Sequence, residues 1–302
     1  MGLFTPAWMK NDSKSEPKAL AAVEKMTKQA DLIRVAEEAP NWNVRKAAMK
    51  KVTDPAALAR IAVNDASLNR DAVERLTDGA ALQYVVDNAD LSAIRVLAAS
   101  RLPDHARGQQ IILDAALNDK EEAVRIQAVE LLDDQSVLAQ VAIHKGSKPQ
   151  VVTRALSRIT ESRQFERVAR ETPHDSAREW ALDRIADKAV QEEISRSYLV
   201  DPNMHAGFSA MRAALQYTDD QAALAQFVRR EKVHEDLKIK AIEKITDVDF
   251  LNEIVRSDDE AFQFKKGLMM PGTSHSFVAL LNLKSYAEAR LRALGKEPAA
   301  AE

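Results

Sequence analysis

The stretch that decides the fold runs from residue 44 to residue 62 and reads VRKAAMKKVTDPAALARIA. Its first half places Ala48 and Val52 at helical spacing, on one apolar stripe. Asp54 followed by Pro55 is typical of a helix N-cap and of the proline favoured in the first turn. The second half then puts a leucine and an isoleucine three residues apart, on one face of a second helix. The stretch therefore predicts a pair of short helices joined by a tight turn.

The same phrase recurs along the chain. Each copy has an apolar and a basic residue, then an apolar stripe, a break at Thr-Asp or a variant of it, and a second apolar stripe. The residue at the break marks each copy, and the nine marks are Thr27, Thr53, Thr77, Pro103, Asp133, Thr160, Ala186, Thr218 and Thr246. Successive marks lie 24 to 32 residues apart. Weak copies in a fixed order predict a tandem repeat.

Each predicted helix is too short to be stable alone in water. Its apolar stripe must therefore be buried against neighbouring copies. Frequent alanine in the first helix of each copy permits the close approach that dense packing requires. The repeat thus predicts helix pairs stacked in series, with the rotation from one pair to the next building a superhelix.

The Val-Arg…Ala…Leu…Asp-Pro…Leu…Ala cadence resembles short HEAT-type repeats and is similar to bacterial leucine-rich-variant repeats. The resemblance covers residues 19–256 and implies an all-α, right-handed α-α superhelix of about nine short HEAT-like helix pairs, in a bacterial protein. The first residues do not read as a signal peptide, so the expected compartment is the cytoplasm. Residues 1–18 are predicted to be an N-terminal lead-in segment. Residues 257–302 are predicted to form capping helices and a tail, with a longer helix from about residue 275 to residue 294. Proteins with such folds have many different functions, so the resemblance does not indicate an activity.

Charged residues also recur with the repeat. The basic members lie eight residues before their marks and are Arg45, Arg95, Arg125 and Arg178. The acidic members begin the second helix and are Asp54, Asp78, Asp134 and Asp247. One hypothesis is a basic stripe that binds an acidic partner. We favour a structural ladder, in which each arginine bonds an acidic residue near the next inter-helix turn, because buried charges need partners and a planar guanidinium suits bidentate bonding.

The composition excludes several kinds of chemistry. The chain has no cysteine, which excludes disulfides, thiolate catalysis and cysteine-based zinc sites. Metal-binding HEAT proteins related to deoxyhypusine hydroxylase use several His-Glu pairs, whereas this chain has one, His234-Glu235. We therefore predict no metal, no cofactor and no catalytic residue. A net charge of -3 argues against nucleic acid as a partner, and no apolar run is long enough to span a membrane.

Three aromatic residues are candidates for contact with a partner. Trp42 lies in a predicted loop, and Phe262 and Phe264 follow the last repeat. Aromatic side chains are enriched in the energetic centres of protein interfaces. The alternative is that the two phenylalanines close the end of the repeat array and belong to its core.

The leading functional hypothesis is a non-enzymatic scaffold or adaptor that binds a protein or peptide on its concave face, since solenoids provide extended concave surfaces. One alternative is a HEAT-like DNA-binding protein or an enzyme of the alkylpurine DNA glycosylase type. Trp42, Trp180 and Asp183 supply the residue types for that reading, but the charge balance does not supply the clustered cations that bind phosphates. Another alternative is a lyase- or chaperone-like HEAT protein acting on a partner protein. The oligomeric state stays open.

Overall fold

The computed structural model describes residues 6–10, 14–204, 206–257, 262–269 and 276–298. Within these residues it contains nineteen α-helices, two short 3-10 helices and one pair of β-strands. The chain packs as two compact units. Unit 1 comprises Met1–Val141 with Gly146–Arg154, and unit 2 comprises Ala142–Lys145 with Ala155–Glu302.

The first eighteen helices alternate about the sequence marks, because every mark lies in the turn between two helices. The helices before the marks, here called A helices, are α1 (Glu16–Lys25), α3 (Trp42–Met49), α5 (Asn69–Arg75), α7 (Ser92–Ala99), α9 (Glu122–Leu131), α11 (Pro149–Arg158), α13 (Asp175–Leu182), α15 (Phe208–Tyr217) and α17 (Glu235–Lys244). The helices after the marks, here called B helices, are α2 (Gln29–Glu38), α4 (Pro55–Asn64), α6 (Gly79–Asn88), α8 (His105–Asn118), α10 (Gln135–Ile143), α12 (Ser162–Glu171), α14 (Lys188–Val200), α16 (Gln221–Arg229) and α18 (Val248–Arg256).

The apolar stripes form the core of each unit. Within residues 44–62, Ala48 and Val52 are fully buried, and Leu58 and Ile61 are nearly so. The main helix contacts join helices one or two places apart, such as α2 with α3 and α4 with α6 in unit 1, or α12 with α13 and α14 with α16 in unit 2. Consecutive packing of short helices is the arrangement that a helical repeat array requires.

Two B helices are longer than the rest. The step from the mark Pro103 to the mark Asp133 is 30 residues, longer than most of the others, and its B helix, α8, has 14 residues. The other enlarged copy contains α14, with 13 residues, followed by the 3-10 helix Pro202–Met204. The extra length is therefore taken up within helices as well as in loops.

The C-terminal part departs from the prediction of capping helices. Two antiparallel strands, β1 (Gln263–Met269) and β2 (Ser276–Asn282), form a hairpin where a helix was expected to begin near residue 275. A helix does follow, as α19 (Lys284–Ala293), and it packs against α17 and α18. The Pro-Gly pair between the two strands is a turn signal, but β1 reads QFKKGLM and has no clear period. Among the described residues the fold is otherwise all-α, as predicted, and this hairpin is the departure from it.

The N-terminal lead-in is also shorter than predicted. Helix α1 begins at Glu16, inside the predicted segment 1–18, and Ala7–Met9 form a 3-10 helix against it. The Trp8 side chain is buried, with the guanidinium of Arg34 5.6 Å from its ring centre. Residues 1–5 and 11–13 lie outside the described residues.

Candidate functional site

The recurring arginines close the C-terminal ends of the preceding B helices. The Arg45 guanidinium donates to the carbonyl oxygens of Ala39 and Pro40, at 2.8 and 3.1 Å. Arg95 donates in the same way to the carbonyl oxygens of Ala89 and Asp90, six and five residues before it in the chain. Arg125 donates to the carbonyl oxygen of Asp119. The last carbonyls of a helix lack intrahelical partners and carry partial negative charge, so a cation there is stabilising.

Two of these arginines have an acidic partner. Arg45 reaches Asp65 in the next inter-helix turn, with Nε 2.7 Å from the carboxylate, as the ladder hypothesis requires. Burial alone would raise the pKa of Asp65, but hydrogen bonds from Ser67 and Arg45 outweigh it and hold the pKa below its ordinary value. Arg125 lies 3.9 Å from Glu122 of its own helix, and Arg95 uses main-chain carbonyls and a serine hydroxyl. Bonds to main-chain carbonyls cannot be predicted from the pattern of charged residues, because every residue type carries a carbonyl oxygen.

Arg178 in unit 2 has a different environment. Its side chain is 7% exposed, and its guanidinium lies 5.6 Å from the ring centre of Tyr198. The Tyr198 hydroxyl donates to the carbonyl oxygen of Ala169, at 2.7 Å. Desolvation raises the pKa of this buried tyrosine, so its hydroxyl stays protonated and its ring faces the cation.

The recurring aspartates cap their own helices. Asp54 accepts hydrogen bonds from the main-chain N–H groups of Ala56 and Ala57, so the N-cap predicted from the sequence is present. Asp78, Asp134 and Asp247 do the same at the starts of α6, α10 and α18. Their carboxylates therefore satisfy N–H groups that a helix leaves without partners.

A glutamine bridge, which the repeat pattern did not predict, links successive copies. Gln29, at the start of α2, donates to the carbonyl oxygen of Lys51 and accepts from the N–H of Thr53, at 3.1 and 2.8 Å. Gln109 makes the same two bonds to Leu131 and Asp133, and Gln221 to Lys244 and Thr246. One amide side chain thus ties a B helix to the turn of the following copy.

A second set of cations links successive A helices. Lys51 donates to the carbonyl oxygens of Val23, Glu24 and Met26, at the C-terminal end of α1. The same kind of bond joins later pairs of copies: Arg75 to Val52, Arg101 to Leu76 and Lys244 to Leu215. Most of the recurring polar residues are therefore engaged in holding the repeat together, and a binding surface has to be sought elsewhere.

An apolar slot lies between the B helices α4 and α6 of unit 1. It has a volume of about 360 Å³ and is lined by Ala56, Ala59, Arg60, Asp78, Ala80, Ala81 and Tyr84. Ala56 and Tyr84 are exposed, and 43% of the Tyr84 surface is open to solvent. Four alanines leave a depression because no long side chain projects from that part of either helix. The slot can accept a large apolar side chain from another molecule.

Ion pairs bridge neighbouring B helices in both units, at Arg60–Glu37 in unit 1 and at Arg170–Glu193, Arg196–Asp220 and Arg229–Glu253 in unit 2. A depression of about 280 Å³ between α14 and α16 corresponds in position to the slot, but most of its lining is charged: Ala189, Glu192, Glu193, Arg196 and Asp220. The repeat therefore leaves space between B helices in both units, and an apolar lining is what distinguishes the slot between α4 and α6.

Two polar clefts lie at the C-terminal ends of B helices in unit 1. Cleft 1, of about 760 Å³, lies beside α2 and α4 and includes Glu37, Glu38, Arg45, Arg60 and Asp65. Cleft 2, of about 640 Å³, lies beside α6 and α8, and its charged residues are Asp90, Arg95, Asp114, Asp119, Lys120 and Glu121. A recurring arginine therefore lies in the wall of each cleft.

The three aromatic candidates lie in different environments. Trp42 is 47% exposed at the start of α3, with the Lys46 ammonium 5.4 Å from its ring centre. Phe262 is 2% exposed and makes an edge contact with Phe250, with the ring centres 6.2 Å apart. It packs as core, which agrees with the alternative that this residue closes the end of the array and argues against its choice as a candidate for partner contact. Phe264 lies in β1, and the position of its side chain is outside the described part of the structure.

The residues considered for enzyme chemistry have structural partners. The Trp180 ring lies under the Arg184 guanidinium, 4.4 Å away, and Asp183 accepts a hydrogen bond from the Tyr217 hydroxyl at 2.9 Å. His234 and its two acidic neighbours have the proximity of metal ligands, but the His234 imidazole accepts a bond from the N–H of Asp236 at the helix start. The prediction that the chain uses no metal stays a prediction.

Comparison with protein-family models, curated proteins and solved structures finds no match to this chain. Among the described helices, none has both the length and the apolar character needed to cross a bilayer. The case for a function therefore depends on the surfaces of the chain itself.

Proposed function

We propose that this chain is a non-enzymatic interaction module that binds a segment of another protein on the B-helix surface of unit 1. We further propose that its helix pairs are HEAT-like repeats, nine in number, and that each unit is a right-handed stretch of such pairs. Residues 19–256 would then be the repeat region, and the chain would act in the cytoplasm.

The observation that carries this proposal is the apolar slot between α4 and α6. Small apolar side chains beside an exposed tyrosine can receive a large apolar side chain of a partner. Such binding is favourable because it buries apolar surface of both molecules. In the slot wall, Arg60 is held by Glu37, 2.9 Å away, so its aliphatic part is positioned before a partner arrives.

The charge of the nearby clefts supports a protein partner over a nucleic acid. Counting their lining residues, cleft 1 carries three carboxylates and two cations, and cleft 2 carries four carboxylates and two cations. Phosphate backbones bind where cations are clustered. Trp42, exposed at the start of α3, is a second candidate for contact with the partner.

The test is to fill the slot. Ala80→Arg introduces a long charged side chain into it, and Ala21→Arg makes the same change on an exposed position of the A helix α1. Affinity capture from native lysate, quantified by mass spectrometry, should show proteins that bind the wild type and the α1 variant but are lost with Ala80→Arg. Helicity measured by circular dichroism should be the same for all three.

Binding that survives Ala80→Arg unchanged would exclude the slot as the site. A variant that truncates the exposed ring, Tyr84→Ala, gives an independent measure, because it widens the slot without adding charge. It should weaken the same interactions by roughly 5- to 30-fold, as expected for loss of one aromatic contact of about 1–2 kcal/mol.

A further inference from the structure

Cleft 2 carries negative charge that no ion pair offsets. Among the described residues, no cation forms an ion pair with Asp90, Asp114, Asp119 or Glu121. Lys120 is the one cation in the lining besides Arg95, and the Arg95 donors are engaged by two carbonyl oxygens and the Ser92 hydroxyl. At the C-terminal ends of α6 and α8, Arg95 and Arg125 already bond main-chain carbonyls, so the negative charge of cleft 2 comes from its carboxylates.

Cleft 1 has the same place in the repeat but not the same charge state. There Glu37 pairs with Arg60 at 2.9 Å, and Asp65 pairs with Arg45 at 2.7 Å. A third lining acid, Glu38, pairs with Arg34 at 3.1 Å. Every carboxylate in the wall of cleft 1 therefore already has a cation, whereas those of cleft 2 are available to a cation from another molecule.

Helix α6 connects the slot with cleft 2. Ala80, Ala81 and Tyr84 line the slot, and Asp90 and its neighbour Leu91 line the cleft beyond the end of the same helix. From Tyr84 to Asn88, the last residue of α6, the helix rises about 6 Å, and Asp90 lies two residues further on, at most about 7 Å away. An extended segment covers about 6 to 13 Å in two to four residues.

The rim of cleft 2 also suits the stem of a basic side chain. Leu91 is 52% exposed, and Val86, Val96 and Ile111 contribute apolar lining. Lysine and arginine bury their methylene groups along apolar surface while the charged end meets carboxylates. The apolar rim of cleft 2 therefore suits the methylene groups of a lysine or arginine, and its carboxylates suit the charged end.

We propose that the partner segment carries a lysine or arginine about two to four residues from its large apolar anchor, and that this basic side chain binds in cleft 2 while the anchor fills the slot. The inference rests on the proposed function, because it uses the slot as the anchor site. It adds the chemical class of the partner: a short segment combining one large apolar and one basic residue.

The test uses a phage-displayed library of random linear peptides, selected on the full chain at low ionic strength. Three proteins are compared: the wild type, a cleft variant with Asp90→Asn, Asp114→Asn and Glu121→Gln, and a control with Glu24→Gln and Asp31→Asn on other exposed parts of unit 1. The wild type and the control should enrich peptides with an apolar residue and a basic residue at the stated spacing. The cleft variant should enrich the apolar residue without the basic one.

Affinity measurements on one enriched peptide complete the test. Each carboxylate lost from cleft 2 should weaken binding by about 1.5- to 5-fold, the range measured for exposed ion pairs, and added salt should remove most of the difference. Replacing the basic residue of the peptide by glutamine should remove the difference between wild type and cleft variant.

The outcomes separate the inference from the function on which it rests. Enrichment of apolar residues with no basic preference, or with acidic ones, would overturn the assignment of cleft 2 and leave the slot in place. An enriched set that also binds the slot-filling variant Ala80→Arg unchanged would overturn the proposed site itself, and the inference with it.

Discussion

Asp219 and Asp220 are adjacent and chemically alike, but only one of them caps a helix. Asp219 directly follows the mark Thr218, the position at which Asp54, Asp78 and Asp247 cap their helices. In the structure, Asp220 accepts a hydrogen bond from the N–H of Ala223 at 3.0 Å and begins α16. The Asp219 side chain is 89% exposed and pairs with Lys244. The cap lies one residue later than the pattern indicates because the backbone turns into the helix at Gln221, which makes Asp220 the residue before the first helical one.

The pair offers a matched test of capping. Asp220→Ala should destabilise α16 by about 1 kcal/mol, because the helix start loses an acceptor. Asp219→Ala should cost no more than about 0.5 kcal/mol, because its ion pair is exposed. Native-state amide exchange of α16 measures both changes locally. Asp220→Asn keeps an acceptor oxygen and should stay near wild type, and equal losses at both positions would refute the assignment.

At this scale, the sequence predicts which residues are buried better than what they bond. The alanines and aliphatic residues of the repeat are buried where helical spacing places them, as Ala48 and Val52 illustrate. The partners of Arg95 and Gln109 are main-chain groups, which belong to every residue type. The residue types in the sequence therefore do not show where such acceptors lie. Only the donors, which recur from copy to copy, can be recognised.

Among the elements, α8 shows how an added turn is accommodated. Its first four residues precede Gln109, whereas the bridging glutamine of α2 is the first residue of that helix. The added turn passes close to α7. A Cβ at Gly108 would lie 2.4 Å from the carbonyl oxygen of Ala99. Glycine is required there because main-chain atoms of another helix occupy the space.

Gly108→Ala should therefore lower stability, although helix propensity alone predicts the opposite sign. Alanine inside a helix is normally favoured over glycine by about 1 kcal/mol. Here overpacking against main-chain atoms should make the variant about 1–3 kcal/mol less stable. Urea unfolding of the two proteins decides the sign. Ala106→Gly, on an exposed position of the same turn, is the control and should lose about 1 kcal/mol.

The elements themselves were largely predictable, and the exception is instructive. Short helices with one apolar stripe and an aspartate at the start leave a strong sequence signal. The hairpin of β1 and β2 does not, because runs such as residues 276–282 are apolar without a clear period. A short run of mainly apolar residues fits either a buried helix or a strand. The strand forms here by pairing with β1, which precedes it in the chain.

Over the whole molecule, the consecutive helix contacts determine how instability spreads. Leu224 is fully buried in α16, which packs on α14 and α17. Leu224→Ala should cost about 2–5 kcal/mol by leaving a cavity. Because stability in such arrays is carried by nearest neighbours, faster amide exchange should appear in α14 to α18 and leave α2 to α8 within about 0.5 kcal/mol of wild type.

The reciprocal control is Leu82→Ala, at an equally buried position in α6 of unit 1. It should speed exchange in α4 to α7 and spare α14 to α18. Uniform loss of protection in both units, from either substitution, would mean that the chain unfolds as one cooperative body. Hydrogen exchange read by mass spectrometry resolves these segments.

The candidate site could be predicted only in part. The alanines of the slot, such as Ala56 and Ala80, occupy equivalent positions in two copies, so the repeat alignment contains the signal. What the sequence cannot supply is the side chain that would otherwise fill the space, since this depends on neighbours in several elements. The sequence also does not show that the carboxylates of cleft 2 lack ion pairs. Whether an acid has a cation nearby depends on how side chains of neighbouring copies are placed in space.

The glutamine bridge described above has a consequence for how such a chain can change in length. Gln29, Gln109 and Gln221 each bond to a main-chain carbonyl and a main-chain N–H in the following turn. Those atoms are the same whatever side chain the turn carries, so a copy exchanged at one of these three joints keeps the bridge without a second substitution in the turn. An ion pair between copies, such as Arg229–Glu253, is lost on exchange unless the incoming copy brings a matching residue.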